Sequence, residues 1–146
     1  MSFLNSLNIS GSALTAQKFR MNVISQNISN ANTTRTENGQ PYRRKLVIFN
    51  ENKNNVDFSS TLNNSLKENI GAGVEVSAVV EDQSNFKLEF NPDHPHADAD
   101  GYVRMPNVDT VEEMVDMISA TRSYEANITA FNAMKFMASK ALEIGK

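Results

Sequence analysis

A chain of 146 residues, 40% apolar and 21% charged, has room for one domain with extensions, and a net charge of −3 gives no reason to expect a nucleic-acid partner. Cysteine is absent, which excludes disulfides, thiolate metal ligands and cysteine nucleophiles together. Two histidines and no tryptophan leave little for catalysis while asparagine reaches 19 residues, so an enzyme is already the less expected class.

The first segment reads as a long helix. Positions 3, 7, 10, 14, 17, 21, 24, 28 and 31 step alternately by four and three, and Phe3, Leu7, Leu14, Met21, Ile24, Ile28 and Ala31 are apolar, with Ser10 and Gln17 the exceptions. This spacing keeps every member on one narrow stripe. A smaller stripe runs beside it through Ile9, Ala13, Ala16 and Val23. The helix is expected to end near Asn30–Asn32, in an N-terminal region of residues 1–33. Its charges before residue 35 are Lys18 and Arg20 alone, and small uncharged groups such as Ser12, Asn22 and Asn27 fill its polar face. Such residues are weak helix formers, so the helix should be marginal unless something packs on it.

Residues 34–108 read as a small β-rich domain. Tyr42–Phe49, Val74–Val80, Phe86–Phe90 and Gly101–Arg104 are rich in strand formers, and residues 50–69 form an Asn-rich loop. Arg43-Arg44-Lys45 sits on the first strand, where alternation sends Arg44 to the face opposite Arg43 and Lys45. The expectation for the triplet is a solvated edge.

The last segment, residues 109–146, is a second helix. Asp109 followed by Glu112 has the form of a capping box. Positions 114, 117, 121, 124, 128, 131, 135, 138 and 142 repeat the heptad step, and Met114, Met117, Tyr124, Ile128, Phe131, Ala138 and Leu142 are apolar. A second stripe passes through Ala130, Met134, Met137, Ala141 and Ile144, and Gly145 is a plausible stop. Eight acids lie between residues 93 and 125, against Arg104 and Arg122, while the first 36 residues contain no acid, as expected of segments that pair.

Length argues for assembly. A helix over residues 3–31 would run about 44 Å and the C-terminal one about 50 Å at 1.5 Å per residue. A compact domain of this size is roughly 38 Å across. The expected fold is therefore α+β, with the terminal helices pairing as an elongated coiled coil beside the β-rich middle. Exposed second stripes would then mark an interface. The expected interface residues are Phe3, Leu7, Leu14, Met21, Ile24 and Ile28 with Met114, Met117, Tyr124, Ile128, Phe131 and Leu142.

One cluster has metal-ligand character, His94-Pro95-His96-Ala97-Asp98-Ala99-Asp100-Gly101. Taken as a calcium loop starting at His96, it lacks an acidic first ligand, and Asn107 stands at the twelfth place. Taken as a zinc site, it lacks a third ligand. A turn built on Pro92, Pro95 and Gly101 is the simpler reading, with a small metal-dependent binding module as the alternative from another class. No apolar run reaches the ~18–20 residues of a membrane span. Met1–Asn5 shows no basic start, apolar core or cleavage site, so no cleaved secretion signal is expected.

Specific runs then strengthen the reading. Gly11-Ser12-Ala13-Leu14-Thr15-Ala16-Gln17 and Asn22-Val23-Ile24-Ser25-Gln26-Asn27-Ile28-Ser29-Asn30-Ala31-Asn32-Thr33 resemble the N-terminal signature of bacterial flagellar rod and hook axial proteins. Val111–Ile118 and Arg122-Ser123-Tyr124-Glu125-Ala126-Asn127 are similar to the C-terminal signature of that family. Gly39-Gln40-Pro41-Tyr42-Arg43 and Ala97–Val108 narrow the resemblance to its short proximal-rod members. The resemblance implies a structural subunit of the flagellar basal body that joins copies of itself and other rod proteins in the periplasm. It also implies passage through the flagellar type III export apparatus, with no nucleic-acid partner and no membrane insertion.

Overall fold

The computed structural model describes residues 3–52 and 73–144. Most of the Asn-rich loop and the stop expected at Gly145 lie outside these residues, as do the side chains of Phe3, Leu4 and Ile144. In chain order the elements are α1 (Phe3–Ser29), β1 (Lys45–Glu51), β2 (Val74–Glu81), β3 (Lys87–Phe90), β4 (Tyr102–Met105) and α2 (Thr110–Ile144). The chain is α+β, and these strands form two small sheets, β1 with β2 and β3 with β4. No helix among the described residues is long and apolar enough to cross a membrane.

The described residues form two compact units, one of residues 3–19, 49–52, 73–77 and 121–144, the other of residues 20–48 and 78–120. In the first, Ser12 ties α1 to the start of β2: its hydroxyl donates to Ile9 O at 2.8 Å and accepts from Val74 N at 3.1 Å. Gly73 passes directly over Ser12 with φ +111°, leaving no room for a side chain.

The second unit holds most of the core: Val23, Ile24, Tyr42, Val103, Val108 and Ala120 are buried there. α1 closes with a tightened turn, Asn30 N donating to both Gln26 O and Asn27 O and Ala31 N to Ile28 O. β1 starts three residues later than expected because the backbone before it is committed elsewhere. Tyr42 N donates to Thr33 O, and Arg44 N donates to the Asn107 side chain. β3 and β4 form an antiparallel pair with Leu88 opposite Arg104 and Phe90 opposite Tyr102. Between them, Gly101 has φ +80°, and a Cβ there would lie 2.9 Å from Phe90 Cε2. The His94–Asp100 segment is a run of turns, with His94 N donating to Asn91 O, Ala97 N to His94 O and Gly101 N to Asp98 O.

α2 starts on a true cap. Asp109 Oδ1 accepts from Val111 N at 3.0 Å and Glu112 N at 3.4 Å. Glu112 turns its carboxylate toward Arg44 at 3.7 Å.

Burial along each helix follows a heptad step, but not along the stripes richest in apolar residues. In α1 the step runs through Ile9, Ala13, Ala16, Arg20, Val23 and Asn27, of which Ala16, Val23 and Asn27 are buried and the rest half-buried. This is the smaller stripe, about a third of a turn from the one led by Phe3. Of that larger stripe Ile24 is buried, and Leu7, Leu14, Met21 and Ile28 are half-buried. In α2 the step runs through Glu113, Met117, Ala120, Tyr124, Asn127, Phe131, Met134 and Ala138, all buried or half-buried. Ile128 is half-buried on its flank, whereas Met114 and Leu142 are exposed.

Candidate functional site

The two buried steps meet in a polar cluster in the second unit. Asn27 is 1% exposed and uses its whole amide: Nδ2 donates to Lys45 O at 2.9 Å and Glu113 Oε2 at 3.0 Å, while Oδ1 accepts from Tyr42 Oη at 3.0 Å and Lys45 N at 2.9 Å. Because Lys45 offers one donor and one acceptor, the amide orientation is fixed. A helix residue thereby holds the start of β1 as a neighbouring strand would.

Glu113 lies opposite, equally buried. Its second oxygen accepts a close charge-assisted bond from Arg44 Nε. The same guanidinium reaches Asp116 Oδ2 at 3.4 Å, and Arg20 of α1 reaches Asp116 Oδ1 at the same distance. Arg44 N donates to Asn107 Oδ1 at 2.9 Å, and Asn107 Nδ2 donates to Asp82 O and Ser84 Oγ. Arg44 is thus not on a solvated edge: alternation turned it inward onto acids spaced one and three residues apart on α2. Arg43, facing the other way, stacks 4.4 Å over the Phe86 ring.

The electrostatics follow from this packing. Burial pushes the Tyr42 phenol above its usual value, and the negative charges of Glu113 and Glu81 add to the shift. Burial alone would lower Arg44, but its bond to Glu113 and the carboxylates of Glu113, Glu112 and Asp116 more than offset this and raise it. The cluster contains no nucleophile beside a base. What it does is fix α1, the entry to β1 and the first turns of α2 to one another.

The His94–Asp100 turns show a different chemistry from a metal loop. His96 Nδ1 lies 2.8 Å from Thr34 Oγ1, and His96 N donates to His94 Nδ1. No group of three metal-ligating side chains gathers among the described residues.

Apolar residues are also left outside. Val111, Met114, Val115 and Ile118 line the face of α2 opposite Glu113 and Ala120, each half exposed or more.

Comparison with known proteins points to the flagellar basal body. A family model described as flagella basal body rod protein matches residues 7–35, and one described as flagellar basal body rod FlgEFG protein C-terminal matches residues 99–144. The flagellar basal-body rod protein FlgC of Bacillus subtilis is 53% identical over the whole of both chains. The chain belongs to the FlgC family. The FlgC protein of Borreliella burgdorferi is 46% identical over 99% of this chain and 98% of its own, and that of Escherichia coli O157:H7 is 44% identical over the whole of both.

The two segments matched by the rod family models include both partners of the central hydrogen bond, Asn27 in the first and Glu113 in the second. Of the residues expected at an assembly interface in this FlgC-family chain, Met117, Tyr124 and Phe131 stand on the buried step of α2, and Ile24 is buried in α1. Leu7, Leu14, Met21, Ile28 and Ile128 flank the buried steps, and Met114 and Leu142 face outward. The polar cluster itself was missed, because counting apolar residues penalises a stripe that contains Asn27, Arg20 or Glu113. One signal for it was present: Asn27 continues the four-and-three step of Ile9, Ala13, Ala16 and Val23.

Proposed function

We propose that this chain is a structural subunit of the proximal rod of the bacterial flagellar basal body. The observation that carries this reading is identity with FlgC proteins along the entire chain, including both terminal helices. Regions 1–33 and 109–146 form the inner assembly domain, their helices pairing as an elongated coiled coil, and residues 34–108 form a middle domain. The contacts Arg20–Asp116 and Asn27–Glu113 support that pairing. The interface with copies of itself and with other rod proteins uses Phe3, Leu7, Leu14, Met21, Ile24 and Ile28 of α1 with Met114, Met117, Tyr124, Ile128, Phe131 and Leu142 of α2. The assembled subunits pass torque along the shaft and wall the export channel. The chain arrives through the flagellar type III export apparatus. The role is not enzymatic and takes no cofactor, nucleic acid or place in the bilayer.

The test is a deletion of the gene with two complementing chains. The unaltered chain should restore swimming and complete basal bodies. Ile128→Asp should restore neither, since an unpaired carboxylate on a half-buried position costs several kcal/mol. Normal basal bodies in the deletion strain itself would refute the reading.

A further inference from the structure

One cleft in the unit of residues 20–48 and 78–120 has no part in the cluster around Asn27. Its volume is about 720 Å³, and the turns of residues 34–41 and 95–98 line it together with Arg43, Phe86 and Arg104. Both runs that narrow the resemblance contribute: Gly39, Gln40 and Arg43 come from the first, Ala97, Asp98 and Arg104 from the second. These turns are tied internally. Thr36 Oγ1 donates to Gln40 O and Gly39 N to Thr36 O, each at 2.8 Å. Thr34 Oγ1 lies 2.8 Å from His96 Nδ1, which joins one set of turns to the other.

Charge in the cleft is unbalanced. Arg104 has its own acid, Asp98, at 3.9 Å, and that pair counts as neutral. Arg35 and Arg43 remain, and among the described residues no carboxylate lies within ion-pair distance of either. Glu37, two residues from Arg35, is outside the lining. Asp82 senses the charge of Arg43 but gives its carboxylate to Ser84 N at 2.9 Å. Arg43 is also held in place. Its guanidinium stacks 4.4 Å over the Phe86 ring, and Nη1 donates to Asp82 O at 3.1 Å and Ser84 O at 3.4 Å. Those bonds use one of three nitrogens, so further N–H donors stay available in a fixed orientation.

We propose that this cleft binds an acidic peptide segment of a partner chain, with Arg35 and Arg43 taking its carboxylate. A guanidinium fork matches a carboxylate, and charge-assisted bonds of this kind are roughly twice as strong as neutral ones. Pro41, Phe86 and Pro95 offer apolar surface to the residues on either side of the acid, which a free inorganic anion would leave unused. The Asp98 carboxylate in the lining repels a doubly charged phosphate more than a singly charged side chain. Peptide capture here is independent of the rod-subunit reading.

The test uses the full purified chain, isotope-labelled, and follows the Nε–H resonances of its arginines. The probe is a blocked pentapeptide with a central glutamate flanked by prolines, compared with its glutamine counterpart and with inorganic phosphate. The glutamate peptide should shift the Arg35 and Arg43 resonances saturably and leave that of Arg20 in place. The glutamine peptide should bind about tenfold more weakly or worse, and Arg35→Gln should weaken the glutamate peptide by about tenfold. Arg35 is exposed and makes no bond among the described residues, so this variant should keep the parent spectrum and lose binding alone. Absence of a saturable shift, equal binding of the two peptides, or unchanged affinity in Arg35→Gln would each overturn the proposal. Phosphate binding more tightly than the glutamate peptide would overturn it too, because the cleft would then be a site for free anions.

Discussion

Asn27 and Glu113, 86 positions apart, share a 3.0 Å hydrogen bond with both side chains 1% exposed. The contact between α1 and α2 is keyed by polar groups where apolar packing was expected.

Replacing Asn27 should therefore be among the most damaging single changes in the second unit. Asn27→Ala leaves Tyr42 Oη, Glu113 Oε2 and both backbone groups of Lys45 short of a partner, a loss of about 3 kcal/mol. Asn27→Asp should cost more, because it sets a second carboxylate against Glu113. Denaturant midpoints of the purified chain check both. An Asp variant as stable as the parent would contradict the assigned geometry.

Arg44→Met tests the ion cluster. Breaking a buried pair by removing one partner costs about 3–5 kcal/mol, since Glu113 keeps its charge without its cation. Arg43→Met, on the opposite face, should cost far less. The comparison needs only thermal unfolding of the two variants side by side.

Tyr42 predicts an alkaline limit. A phenol whose pKa is raised in the folded chain contributes stability that is intact below its unfolded value of 10.0 and is lost as pH rises through the higher folded value. The phenolate cannot donate to Asn27. Tyr42→Phe should lose about 1 kcal/mol at neutral pH and show a shallower decline as pH rises above 10.0. An unchanged alkaline slope would show that Tyr42 is not responsible.

The acid side depends on the cap of α2. Bonds from Val111 N and Glu112 N, and then Lys87, hold the Asp109 carboxyl below its ordinary 3.8. Its contribution is present above that value and disappears as pH falls through the depressed one. Asp109→Asn, which caps without titrating, should lose less helix by circular dichroism than the parent does as pH falls below 3.8.

Gly101→Val should destabilise the hairpin by about 1–3 kcal/mol, since φ is +80° and Phe90 and Pro92 occupy the space a side chain needs. The double change His94→Ala with His96→Ala should stay within about 0.5 kcal/mol, as expected of turn residues of which one is half-buried and one exposed. Swimming and rod yield of these two variants beside the parent would rank them. A failing histidine variant beside a swimming valine one would reverse the structural reading of this loop.

The sequence was most legible where local rules operate. Both helices, four strand segments and a turn at Gly101 follow from periodicity, capping and turn chemistry. The buried steps were harder, because Asn27 and Glu113 look like surface residues until their partners are known, and those partners lie up to 86 residues away. Arg44 was misread for a related reason. Alternation correctly sent it to its own face, but nothing near it in the chain says that Glu112, Glu113 and Asp116 wait there.

The double grip of Asn27 on Lys45 makes tolerance to insertion uneven along the chain. One extra residue between Arg20 and Asn27 would advance the amide by about 1.5 Å and swing it about 100° around the helix, out of reach of Lys45, Tyr42 and Glu113 at once. An extra residue in the turn around Gly39 would be absorbed on the surface, beyond the Thr33–Tyr42 backbone bond that closes it. Length variation in relatives that keep this clamp should therefore gather in the turns, and the count from Arg20 to Asn27 should stay fixed.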